Sequence, residues 1–166
     1  GTVALAAVVG LWLWQGTPGP KSNARELGAA LAPTLRPGDV VLATQPEQVP
    51  LLAHYLPDGV RFMTVLGPSR DDGVMDWRDA MTRLRAASPH EAVAAAVREA
   101  PSGGRLVVIR PVVSGGGWTT KWTSLVAEHS RIIDTAVARR GGVAAVDAGR
   151  RDVANIALSA TVVPIA

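Results

Sequence analysis

The chain has 166 residues, about one domain's worth, and its 48% hydrophobic and 19% charged residues exclude a disordered chain. The formal charge of +3 comes from positive residues scattered along the sequence, not gathered with aromatics into a stripe, which argues against nucleic acid as a partner. With no cysteine there are no disulfides, no thiolate metal site and no thiol nucleophile.

The chain opens on Gly1, directly inside an apolar run from Val3 to Trp14. A spanning helix needs roughly 20 apolar residues, so residues 1–16 read as the final piece of a transmembrane helix. Trp12 and Trp14 stand where indoles favour the headgroup level; a buried core helix is the plainer alternative. On the membrane reading the chain is part of a larger protein. Gly16-Thr17-Pro18-Gly19-Pro20 breaks that helix from the next one, which makes residues 17–22 a linker and residues 23–166 a soluble domain.

Asn23 with Glu26 fits a capping box, and Leu27, Leu31 and Leu35 continue at near-helical spacing until Arg36-Pro37-Gly38. Val40, Val41 and Leu42 form a short apolar run, the pattern of a strand buried on both faces of a parallel sheet. Thr44 with Glu47 fits a second capping box, and Pro46 suits the first turn of the helix it opens. Pro50 kinks this helix or restricts it to a few residues, and Pro57-Asp58-Gly59 ends it. Arg61 to Leu66 is the next strand, joined to the first by a segment long enough for a parallel crossover.

Residues 67–75 form a polar loop, and Asp76-Trp77-Arg78 opens a helix that runs toward Ser88-Pro89. An alanine-rich helix follows from His90 to Ala100, then a third buried strand from Leu106 to Ile109. Past Ser114-Gly115-Gly116-Gly117, a long helix spans Trp118 to Arg140 and stops at Gly141-Gly142. Residues 143–146 and 157–163 are the last strands, able to pair as an antiparallel hairpin at the sheet edge. The segments at Val40, Phe62, Leu106 and Val143 are expected to lie side by side. The fold class is therefore α/β, a three-layer, Rossmann-like, mostly parallel sheet with an antiparallel edge, preceded by the end of a transmembrane helix.

Chemistry-bearing motifs are sparse. Ser114 to Lys121 matches neither the P-loop nor the dinucleotide fingerprint, Asp71-Asp72 before Gly73 reads as a solvated turn, and His54, His90 and His129 lack the spacing of zinc ligands. Trp118 and Trp122 sit at helical spacing, where packing is the plainer role and stacking on a sugar the sharper one. Open parallel sheets bind ligands beyond the carboxyl ends of their strands. That places candidate ligand contacts on Thr44, Gln45 and Glu47, with His54 and Tyr55 of the following helix. No metal site and no cofactor are evident in the chain.

Lys21-Ser22-Asn23 before a helix, RPGDVVLATQPEQVPLLAHYLPDGVRF and VMDWRDAMTRLRAA together resemble the C-terminal end of actinobacterial membrane glycosyltransferases of the GT-C superfamily, close to the protein O-mannosyltransferase type. The resemblance implies a domain on the extracytoplasmic side of the cell membrane, hung from the last transmembrane helix and helping to shape the donor or acceptor entrance. It implies a polyprenyl-phosphate sugar, mannose by that likeness, as donor of the full-length protein and a glycan or protein as acceptor. The catalytic aspartate of such enzymes belongs to their membrane core, so no catalytic residue is assigned here and this chain by itself is expected to be inactive. A non-catalytic module that binds a cell-wall polymer or a partner protein is the alternative.

Overall fold

The computed structural model describes residues 4–5, 10, 20–113, 118–141, 144–146, 148 and 156–166. Except at residues 4, 5 and 10, the run read as the end of a transmembrane helix lies outside the described residues, as do Val143 and the glycine-rich loop at 114–117. Among the described residues no helix is long and apolar enough to cross a membrane.

The elements in order are α1 (Ala24–Leu31), β1 (Val40–Ala43), α2 (Val49–Tyr55) entered through a 3-10 turn at Pro46–Gln48, β2 (Arg61–Thr64), β3 (Gly67–Pro68), α3 (Ala80–Ala86), α4 (Pro89–Glu99), β4 (Arg105–Val112), α5 (Lys121–Ala138), β5 (Ala144–Val146) and β6 (Ala157–Pro164). The protein is a mixed α/β structure whose strands form one sheet in the order β3-β2-β1-β4-β6-β5. β2, β1 and β4 are parallel neighbours, in register from Val40 beside Arg61 and Leu106 to Ala43 beside Thr64 and Ile109. β3, β6 and β5 add antiparallel pairings.

Two expectations change here. Antiparallel pairing flanks the parallel centre on both sides, where an antiparallel element was expected at one edge. And β5 does not touch β4, because β6 lies between them. β4 is eight residues long and β1 only four. The eight residues of β6 pair with β4 along its whole length, from Arg105 beside Pro164 to Val112 beside Ala157, which satisfies backbone groups that a three-residue β5 would leave open.

Side chains alternate across this sheet and divide the core in two. Val41, Ala43, Phe62, Val107, Ile109, Leu158 and Ala160 meet Leu27, Leu31 and Leu52 of α1 and α2 on one face. Val40, Leu42, Met63, Leu106, Val108 and Val163 meet Leu84, Val93, Ala96, Val126 and Ile133 of α3, α4 and α5 on the other. Helices therefore cover both faces, which is why the central strands read as continuous apolar runs.

Caps account for several helix boundaries. Ser88 accepts from the Glu91 N–H at 3.3 Å, with Pro89 in the first turn of α4. Thr120 and Thr123 form a reciprocal box at the start of α5, three residues later than the sequence pattern places it. α3 begins at Ala80 and not at Asp76, because Asp79 sits at φ 50° in the left-handed region that a helix does not continue through. Pro50 falls in the first turn of α2, where its missing N–H is tolerated, and the preceding turn is 3-10.

The two expected capping boxes are absent. Asn23 reaches across to β6, where its amide donates to the Leu158 carbonyl at 2.9 Å and its oxygen accepts the Leu158 N–H at 2.6 Å. Asn23 thus behaves as a strand partner where β6 has passed the end of β5. Next to it, Ser22 bridges Ile156 in parallel, and the Ile156 N–H donates to Lys21 O at 3.0 Å.

Candidate functional site

The helix that follows β1 packs on one face of the sheet and the helix that follows β4 packs on the other. β1 and β4 are neighbours whose following helices lie on opposite faces, and beyond the carboxyl ends of such a pair lies the crevice position where open α/β sheets take ligands. Thr44 and Gln45 stand at this position, both buried, with the Thr44 N–H still tied to Ile109 O at 2.9 Å.

Thr44 is a crosslink between the sheet and α5. Its Oγ1 lies 2.7 Å from Ser130 Oγ, and the single Ser130 hydroxyl proton goes to Val126 O at 2.7 Å. Thr44 is therefore the donor in the pair. Glu47 does not reach back to Thr44. Its Oε1 accepts from Gln45 Nε2 at 2.9 Å and from the Trp122 indole N–H at 2.7 Å. Trp122 in turn packs on Trp77, ring centroids 5.2 Å apart at 51°.

The loop around Trp77 is built to hold that ring. Asp76 accepts from the Arg78 N–H and pairs with its guanidinium at 3.0 Å, which keeps its carboxyl well below the usual range, at about 2. Arg83 clamps the loop by donating to the Asp76 and Arg78 carbonyls. Trp77 itself is 58% exposed. Three segments distant in sequence thus converge: the strand end at Thr44–Glu47, the Asp76-Trp77-Arg78 loop, and α5 through Trp122 and Ser130.

Among the described residues, four buried side-chain polar atoms lack a hydrogen-bond partner, and Gln45 Oε1 and Glu47 Oε2 are two of them. Both are acceptors, and both belong to the same hydrogen-bonded pair. Buried polar groups are nearly always satisfied by protein or ordered water, so each of these two oxygens can accept one more hydrogen bond.

On the far side of the Thr44–Ser130 contact, a cavity of about 830 Å³ opens between α5 and β4, β5 and β6. Its volume lies in the range of small-ligand sites. Arg110 and Asp134 form an ion pair at 3.0 Å on its wall, Arg110 also donates to Thr161 Oγ1 at 2.8 Å, and Glu128, Ser130, Arg131 and Ser159 supply the rest of the polar lining. Burial pushes the Asp134 carboxyl up, with Arg110 pulling the other way.

The structure brings Thr44, Gln45 and Glu47 together and places His54 and Tyr55 elsewhere. α2 runs back along the sheet, and the chain just beyond it meets the loop before β1, where the Gly38 N–H donates to Gly59 O at 2.7 Å. Tyr55 packs on Gly28 of α1, with the Arg25 guanidinium 5.8 Å above its ring. His54 is exposed and touches Tyr55 edge-on at 4.7 Å. The pair therefore lies at the opposite end of the strands from Gln45. Asp71 and Asp72 form a turn, closed by the Gly73 N–H on Asp71 Oδ1 at 2.9 Å, and no metal-binding group of three occurs among the described residues.

Sequence reasoning missed Trp77, Arg110, Ser130 and Asp134. The Asp76-Trp77-Arg78 triplet was a visible signal. The other three carry none, because their partners are remote in sequence.

His129, one residue before Ser130, is 6% exposed, its Nδ1 has no partner, and burial lowers its pKa from the usual value, opposed by Glu128. The unfolded chain then binds the proton more readily than the folded one. Stability is full above the unfolded pKa of about 6.5 and falls as pH drops from there toward the folded value. Urea unfolding between pH 7.5 and 5 is expected to show this loss, and His129→Leu to flatten it. An unchanged slope in the variant would remove His129 as its source.

No family model matches the chain, and neither a curated protein nor a solved structure matches it.

Proposed function

We propose that the chain is the C-terminal extracytoplasmic domain of a membrane glycosyltransferase that draws on a polyprenyl-phosphate-linked sugar, mannose by the resemblance, and that the crevice beyond β1 is its carbohydrate contact. Its Rossmann-like character belongs to the same proposal. The observation that carries the reading is the convergence of two segments behind the resemblance, Thr44–Gln48 and Asp76–Asp79, on one crevice through Trp122. An exposed indole packed on Trp122, whose N–H holds the Glu47 carboxylate and through it the Gln45 amide, suits a sugar, whose ring has an apolar face and a rim of hydroxyls. Of the other two motifs of the resemblance, Lys21–Asn23 is occupied in holding β6, and His54–Pro57 lies away from the crevice, at the other end of the strands.

The test uses the full-length enzyme in membranes. Trp77→Ala removes an exposed ring that nothing in the core needs, so expression and folding are expected to persist while transfer from the lipid-linked donor falls about tenfold, the loss of about 1.4 kcal/mol of binding. Gln45→Ala should lower transfer too, with some loss of stability because Gln45 is 3% exposed and bonded to Glu47. Full transfer by Trp77→Ala at matched expression would make the crevice purely structural.

A further inference from the structure

We infer that the carboxyl end of the sheet lies against a lipid bilayer bearing anionic headgroups, with Val74, Trp77 and Val113 as its lipid-facing side chains. The inference rests on the membrane reading of residues 1–16 and not on the sugar contact. Its basis is where the exposed apolar residues stand. Beyond residue 20, the large hydrophobic side chains exposed among the described residues are these three, Val74 at 65%, Trp77 at 58% and Val113 at 47%. Val113 directly follows the last residue of β4. Trp77 reaches the same end through Trp122, whose N–H holds Glu47 just past β1, and Val74 lies in the loop that carries Trp77. Apolar side chains scattered singly over a surface call for no partner, whereas these gather at one end.

The preceding chain joins the domain at that end too. Lys21 and Ser22 pair with Ile156, and the next residue, Ala157, lies beside Val112 at the end of β4. Residues 17–22, even fully extended, span at most roughly 20 Å, so a membrane helix ending at residue 16 holds this end of the domain within reach of the headgroups. The two lysines of the chain complete the surface. Both are exposed, Lys21 beside the start of β6 and Lys121 at the start of α5, next to Trp122. Lysine ammonium groups attract anionic headgroups while their stems cover apolar surface, and indoles favour the headgroup level. The Trp77 loop is itself nearly neutral, its four aspartates set against Arg70, Arg78 and Arg83. The opposite end of the strands differs. Arg36, Asp58, Arg61 and Glu99 are exposed there, Arg61 and Glu99 paired at 3.2 Å, and among the described residues no large apolar side chain is exposed beside them.

The test places the 166-residue chain in vesicles of phosphatidylcholine and phosphatidylglycerol. Because the chain has no cysteine, Val74→Cys, Val113→Cys and Asp58→Cys each give a single attachment point for a nitroxide, at exposed positions that leave Trp77 and the core untouched. At 74 and 113, collisions with oxygen, which concentrates in lipid, are expected to exceed those with an aqueous nickel chelate; at 58 the order is expected to reverse. Lys21→Glu combined with Lys121→Glu should shift the labels at 74 and 113 toward water, and labels that this double change leaves in place would overturn the anionic headgroup as the partner. A vesicle-bound chain whose labels at 74 and 113 meet water as the label at 58 does would overturn the contact and leave the membrane reading standing. Labels at 74 and 113 shielded from both reagents would overturn it in favour of a protein partner. A chain that floats free of the vesicles would overturn the membrane reading and the contact together.

Discussion

Replacing Asp39 by alanine is expected to destabilise the fold by about 3 to 4 kcal/mol, the loss of a buried, charged hydrogen-bond centre. Asp39 is 1% exposed at the start of β1. Its Oδ2 accepts the Arg36 N–H at 2.8 Å and lies 3.6 Å from the Arg105 guanidinium, while its Oδ1 accepts the Arg105 N–H at 2.8 Å. Its own carbonyl accepts the Arg61 N–H at 2.9 Å. One residue therefore fastens the beginnings of β1, β2 and β4, the three parallel strands whose other ends form the crevice. Alanine would leave two N–H groups and a partly buried guanidinium without their acceptor. An asparagine side chain would keep one acceptor oxygen but turn an amide NH₂ toward a donor, so Asp39→Asn should lose about 2 kcal/mol. Urea unfolding of the three proteins measures both values, and a change below about 1 kcal/mol for Asp39→Ala would show that the turn closes without the carboxylate.

Asn23→Ala is expected to lose about 3 kcal/mol, because both backbone groups of Leu158 are buried and each would be left unpaired. A capping role would predict a smaller loss of about 1 kcal/mol, confined to fraying of α1. Amide exchange separates the two. Faster exchange of the Leu158 N–H, with the amides of α1 unchanged, is the result expected of a strand-like partner. Exchange that rises in α1 alone would return Asn23 to the cap.

The same contrast shows where local patterns stop being informative. Asn23-Glu26 and Thr44-Glu47 both have the spacing of a capping box, yet the first side chain is taken by Leu158, 135 residues away, and the second by Ser130, 86 residues away. An i, i+3 pattern describes only what a side chain reaches if nothing better arrives from elsewhere in the fold. At Thr44 the local geometry also shifts by one residue: Pro46 starts the 3-10 turn, so Gln45, extended at φ −110°, becomes the residue before it. Thr44 is left in line with the strand, under α5. The same shift gives Gln45 its place at the crevice position.

His54 and Tyr55 illustrate a different limit. They are legible as a polar and an aromatic residue on the helix after β1. A helix that returns antiparallel to its strand carries its last turn away from the strand's carboxyl end, and seven residues of α2 are enough to do so.

What the sequence by itself determined are the parts governed by near neighbours: the apolar runs of β1, β2 and β4, the helices between them, the proline and glycine breaks, and hence an α/β chain with a parallel centre. Periodicity and turn chemistry act over a few residues, so they can be read without the fold. Only the tertiary structure decided that β6 enters between β4 and β5, that Asn23 completes its edge, and that Gln45, Glu47, Trp77 and Trp122 meet in one crevice. Those choices depend on which backbone groups remain unpaired once the sheet is assembled, and on contacts between side chains remote in sequence, Trp77 with Trp122, Glu47 with Trp122, Thr44 with Ser130 and Asn23 with Leu158. Burial makes such unpaired groups costly, and it is burial that only the assembled chain creates.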